Sequence, residues 1–100
     1  MKEVNLRGGE LCSMAEIHRA FAETLRFPDW YGGNLDALHD LLTAESEEVR
    51  IVLWEEELLR DALGARYRAL RRVLTDAAEE NENITLVLAD AKDVSRYPSH

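Results

Sequence analysis

Apolar residues in this chain recur in two rhythms, one of alternation or unbroken runs and one of helical spacing. Val4 and Leu6 alternate with polar neighbours over residues 2–6, which predicts a short first strand broken at Gly8-Gly9. Ser13-Met14-Ala15-Glu16 has the form of a capping box, with Ser13 as N-cap and Glu16 reaching back. Ile17, Ala20, Phe21 and Leu25 follow at helical spacing, so the helix runs to about Leu25, with His18 and Arg19 pointing outward. A second helix is predicted after Asn34, a good N-cap. Leu35, Leu38, Leu41 and Leu42 share one of its faces, and Asp36, His39 and Asp40 the other. Residues 43–48 are polar and read as a connector.

Val49-Arg50-Ile51-Val52-Leu53-Trp54 is β-branched and nearly all apolar, the pattern of a strand covered on both faces in a parallel sheet. A short helix starts near Trp54-Glu55-Glu56-Glu57 and ends at Gly64. Acids in its first turn complement the helix dipole. A longer helix covers 65–80, with Tyr67, Leu70, Val73, Leu74 and Ala77 as its apolar face. Asn81-Glu82-Asn83 is a turn, and Ile84–Leu88 a further strand of buried type. The order strand, helix, helix, strand, helix, helix, strand leaves connections long enough for parallel crossovers. The expected architecture is therefore an α/β domain with a three-stranded parallel sheet and about four helices. Residues 1–90 are expected to form a single domain, with 91–100 as a loose tail poor in apolar residues.

Charge sharpens this picture. The chain carries 20 acids against 12 bases, a formal net charge of −8. That disfavours nucleic-acid and anionic-membrane binding, and suits a cationic partner. Between Arg26 and Arg50 stand six acids (Asp29, Asp36, Asp40, Glu45, Glu47, Glu48) and no Lys or Arg. Acids alone describe any solvated helix face. Trp30 and Tyr31 beside them, both exposed by pattern, give the composition of a binding surface. The helix over 65–80 is charged against its own dipole: Arg66, Arg68, Arg71 and Arg72 lie early, Asp76, Glu79 and Glu80 late. Pairing of Arg72 with Asp76 at i,i+4 would offset that cost; a functional surface is the other explanation.

Asp36, His39 and Asp40 could be viewed as metal ligands or an acid–base set. No HExxH, Cys/His cluster or phosphate loop accompanies them, and an exposed helix does not exclude water. No enzyme activity, metal or cofactor is expected. Cys12 is the single cysteine, so no intrachain disulfide can form, and it is expected to be a packed thiol. With neither a secretory signal nor a membrane span in evidence, a reducing cytoplasm is the expected setting.

Pro28–Leu42, with its aromatic pair, its glycines, Asn34-Leu35-Asp36-Ala37-Leu38 and Asp40, resembles the binding loop and second helix of the barstar family. Ser13–Leu25 and Val73–Leu88 extend the resemblance. Members of that family are intracellular inhibitors of barnase-type bacterial ribonucleases. The resemblance implies sequential strand order with helices mainly on one face. It implies a monomer that binds a basic, extracellular-type ribonuclease and blocks its active site. Asp40 would be the main phosphate mimic, with Asp36 beside it. Trp30 would pack on the enzyme's groove, with Tyr31, Gly32, Asn34 and His39 in the same contact. Asp76 and Glu80 would form a second acidic contact. An acidic interaction module with a non-ribonuclease partner is the alternative. His39 and Glu45 stand where the family has tryptophans, and Asp76 where it has a glutamate. Asp36 and Asp40 are expected to raise the pKa of His39.

Overall fold

Among the described residues, three strands are separated by two pairs of helices. They are β1 (Lys2–Arg7), α1 (Met14–Leu25), α2 (Leu35–Thr43), β2 (Val49–Trp54), α3 (Glu56–Leu63), α4 (Ala65–Glu80) and β3 (Ile84–Ala89). The structure is a computed structural model that describes residues 1–11 and 13–89; Cys12, expected as a packed thiol, and the tail expected at 91–100 lie outside the described residues.

The strands pair in parallel in the order β1-β2-β3. Ile51 of the central strand stands opposite Val4 on one side and Leu86 on the other. Val4, Leu6, Val49, Ile51, Leu53 and Ile84 point to one face and join one buried cluster. Ile17 and Phe21 of α1, Leu38 and Leu42 of α2, Leu59 and Leu63 of α3, and Leu70 and Leu74 of α4 belong to the same cluster. All four helices therefore cover the same face of the sheet. The opposite face has its own small cluster of Val52, Trp54 and Ala89. Polar neighbours frame it. Trp54 Nε1 donates to Asn5 Oδ1 at 2.8 Å, and the Arg7 guanidinium lies 5.0 Å above the indole. Arg50 Nη1 donates to Glu3 Oε2 at 3.2 Å.

β2 is buried on both faces, as its apolar run predicts. β3 is not. Only Ile84 and Ala89 are buried in it, and Leu88 is 50% exposed. An edge strand has a neighbour on one side only, so the same run of residues meets more solvent there.

Local signals set most boundaries. Ser13 Oγ accepts from Glu16 N at 3.3 Å and donates to Glu16 Oε1 at 3.3 Å. Gly8 does more than interrupt a strand. Its N–H donates to Trp54 O at 2.9 Å, extending the ladder by one bond. A Cβ there would lie 2.5 Å from Glu55 O and 2.9 Å from Trp54 O, both backbone atoms.

The misplaced charges of α4 find a partner on α3. Arg71 Nε donates to Glu56 Oε2 at 2.9 Å, the Tyr67 hydroxyl donates to the same oxygen, and Arg60 approaches the other at 3.8 Å. Burial alone would push the Glu56 carboxyl up; the hydrogen bonds from Tyr67 and Arg71 and the charges of Arg71 and Arg60 together hold it below its ordinary value. Among the described residues no ion pair joins Arg72 to Asp76, so the compensation runs between helices and not along one.

Gly8→Ala should destabilise the protein by at least about 1–3 kcal/mol, because two carbonyls of the sheet end must move to admit the methyl group. Gly9→Ala, whose Cβ would meet nothing closer than Leu58 Cδ1 at 4.0 Å, should change little. Urea denaturation of both variants checks this; equal midpoints would mean the sheet end yields freely.

Candidate functional site

The chain leaves α1 through Arg26, which takes a left-handed conformation (φ 54°). The loop that follows closes with Tyr31 N donating to Pro28 O at 3.0 Å. Gly33 (φ 71°) then turns the backbone into the extended Asn34, whose Oδ1 accepts from Ala37 N at 2.8 Å and caps α2.

The adjacent aromatics of this loop part ways. Trp30 is 67% exposed. Tyr31 is half-buried, its ring edge-on to Phe27 with centroids 4.9 Å apart and to His18 with centroids 5.7 Å apart. Its hydroxyl is bonded to His18 Nδ1. His18, expected at the surface, is only 7% exposed. At 100° per residue His18 stands only about 20° from Leu25 and about 60° from Phe21, so it borders the buried face of α1 and does not point outward, and the loop folds back over that border. Burial lowers the pKa of His18 and pushes the Tyr31 phenol up to about 12. The tyrosine therefore keeps its proton and the imidazole stays neutral, so the bond joins two uncharged groups.

On α2, Leu38 and Leu42 are buried while Asp36 and Asp40 face solvent. The Asp40 side chain is 82% exposed. His39 does not project freely between them. Its Nε2 donates to Glu80 Oε2, at the end of α4, at 2.7 Å, and its Nδ1 lies 3.8 Å from Asp40 Oδ1. The pKa of His39 is raised, as expected, but the source differs. The hydrogen bond to Glu80 is the largest cause, opposed by partial burial and reinforced by the charges of Glu80 and Asp40. Asp36 plays no part.

A second link joins the same two helices. Asn81 Nδ2 donates to Leu42 O at 2.9 Å, Glu45 O at 2.9 Å and, more weakly, Thr43 O at 3.3 Å. Asn83 Nδ2 adds a bond to Glu45 O at 3.2 Å. Carbonyls at a helix C-terminus have no intrahelical partner, and Asn81 supplies one from across the fold. Sequence reasoning treated Asn81 only as a turn residue. No local signal marks this role: Asn81 ends α4 with extended backbone (φ −134°), and its partners lie on a distant segment.

His39, Asp40 and Glu80 thus form one acidic edge, with Asp36 and Asn34 one and two turns back along α2 and Trp30 in the loop before it. Asp76 is set apart. It sits one turn before Glu80, half-buried, and lines a groove between α3 and α4 among Arg60, Arg68 and Arg72. Among the described residues no group of three or more His, Cys, Asp or Glu is placed to hold a metal ion, and no helix is long and apolar enough to cross a membrane.

The family model described as Barstar (barnase inhibitor) matches residues 1–92. A protein of Bacillus subtilis (strain 168) named "Putative ribonuclease inhibitor YrdF" is 32% identical over 81 residues, which is 80% of this chain and 89% of that protein.

The His39–Glu80 bond sets a pH dependence. A raised folded-state pKa means the bond adds stability below the unfolded value of about 6.5 and loses it as pH rises through the raised value. In an NMR titration Glu80→Gln should lower the pKa of His39 more than Asp40→Asn does. The stability difference between wild type and Glu80→Gln should be largest below pH ~6.5 and shrink above the folded pKa. A greater drop in Asp40→Asn would identify the α2 acid as the dominant partner.

Proposed function

The chain belongs to the barstar family, and on that basis we propose that it is a protein inhibitor of a barnase-like ribonuclease, blocking the active site with its acidic α2–α4 edge and its aromatic loop. The observation that carries this reading is the Asp40 carboxylate, 82% exposed on a helix end braced by Asn81, in a stretch with no Lys or Arg between Arg26 and Arg50. A ribonuclease active site is cationic because it binds RNA phosphates. A carboxylate held on a rigid helix presents the same charge without a scissile bond. In this reading Asp40 takes a phosphate position and Asp36 a neighbouring one. Trp30 packs into the groove as the apolar anchor, beside loop contacts from Gly32 and Asn34. Glu80 contributes charge from α4, with His39 between it and Asp40. Tyr31 supports the loop through His18, and only its exposed edge is left for contact. Asp76 belongs to the contact only if the enzyme reaches past Glu80 toward the arginine groove.

The protein does no chemistry in this role. Residues 1–90 act as a single domain and the free protein as a monomer. The partner is a basic, extracellular-type ribonuclease, met and neutralised in the cytoplasm. Pre-formed support lowers the ordering cost of binding, since neither α2 nor the loop has to be organised on contact.

Titration against a purified barnase-type ribonuclease, read by RNA cleavage, tests the proposal. Activity should fall linearly to zero near one equivalent. Asp40→Ala should weaken binding by about 2–5 kcal/mol, a general range for truncated interface charges to which this family itself contributes. Trp30→Ala and Asp36→Ala should follow. Glu55→Ala, at the head of α3, should be nearly silent. Association should slow steeply with salt while dissociation changes less. Binding without loss of cleavage would favour an interaction module of the same fold.

A further inference from the structure

A second charged surface lies between α3 and α4, and its sign is opposite to that of the chain as a whole. The two helices enclose a groove of about 520 Å³, lined by Arg60, Arg68, Arg71 and Arg72 with Glu56 and Asp76. Four guanidinium groups meet two carboxylates there, in a chain whose net charge is −8. The imbalance begins in the sequence: from Ala62 to Thr75 there are four arginines (Arg66, Arg68, Arg71, Arg72) and no Asp or Glu.

The arginines divide into two kinds. Arg71 is committed to the fold through Glu56 at 2.9 Å and Thr75 Oγ1 at 2.6 Å, and Arg60 leans on the other oxygen of Glu56. Glu56 is consumed by these contacts and by Tyr67. Arg68 and Arg72 are exposed, stand on successive turns of α4, and form no ion pair with any described residue. Like charges at this spacing repel, and Arg68 lies in the first turn of α4, where the dipole also disfavours a cation. A bound anion removes both conflicts at once.

We propose that this groove is a binding site for a small diphosphate-type anion, separate from the acidic edge and independent of the inhibitory reading. Its volume falls within the range of small-molecule pockets, roughly 300–1,000 Å³. Arg68 and Arg72 each present a planar fork suited to one phosphoryl group, and Arg71 supplies fixed positive charge behind them. A long polyanion fits less well. The lining residues offer no exposed aromatic on which a base could stack, since Tyr67 is buried. The acids elsewhere on the molecule repel a strand that extends beyond the groove, whereas a compact anion stays within a Debye length of about 8 Å of the arginines.

Calorimetric titration with sodium pyrophosphate, with a nucleoside diphosphate as a second arm and sodium sulfate at matched ionic strength as reference, tests the site. Saturable binding of one pyrophosphate per chain is expected, and the nucleoside diphosphate should bind within a few-fold of it because the diphosphate carries the recognition. R68Q/R72Q should weaken both at least tenfold while Asp40→Asn leaves them unchanged. In wild-type protein the side-chain N–H signals of Arg68 and Arg72 should shift on titration and those of Arg50 should not, a readout that needs no variant. The proposal is overturned if pyrophosphate binds no better than sulfate, if R68Q/R72Q binds as wild type does, or if a single-stranded oligonucleotide or the nucleoside diphosphate binds where pyrophosphate does not.

Discussion

Parallel pairing is the constraint from which the rest of this structure follows. Three strands running the same way need a crossover between each pair, and crossovers of this kind take one hand. In the order β1-β2-β3 each crossover advances to the same side, so equal handedness delivers both helix pairs to the same face of the sheet. That is why α1–α4 share one cluster with Val4, Ile51 and Ile84. It is also why α2, from the first crossover, packs beside α4, from the second. Asp40 and Glu80, 40 residues apart in sequence, become neighbours through this geometry.

The acidic edge is exposed, and the contacts that hold it range from the buried His18 to the partly exposed Asn81 and His39. Asn81 secures the carbonyl end of α2, His39 ties Asp40 to Glu80, and the Tyr31–His18 bond fastens the loop that presents Trp30. Trp30 and Asp40 stand outward, each beside a residue tied back by a side-chain hydrogen bond, Tyr31 and His39. In the proposed inhibitory role, supports already in place lower the ordering cost of contact.

α4 connects the two charged regions. Its C-terminal end belongs to the acidic edge and its N-terminal half to the arginine groove, an order opposed to its own dipole. Stability is recovered by packing, with Tyr67, Leu70, Leu74 and Ala77 buried, and by Glu56 of α3 acting on Arg71. A helix that tolerates such a layout is held by tertiary contacts far more than by its own charge pattern.

The sequence by itself determined the elements and the composition of the candidate site. Asn34, the leucine stripe of α2 and the apolar run at 49–54 are local signals, and local backbone preference and burial period were enough to read them. The acid-only stretch and the barstar-like motif likewise lay in contiguous residues. What only the tertiary structure decided are contacts between distant segments. His18 is buried by a loop 13 residues further on, Glu80 and not Asp36 governs His39, Glu56 and not Asp76 compensates an arginine of α4, and β3 is half-open because it is an edge. A helical wheel records which side of a helix a residue occupies, not what the fold lays over that side. Side chains such as Asn81, whose partners lie nearly 40 positions away, acquire their role only when the crossovers have brought two helix ends together.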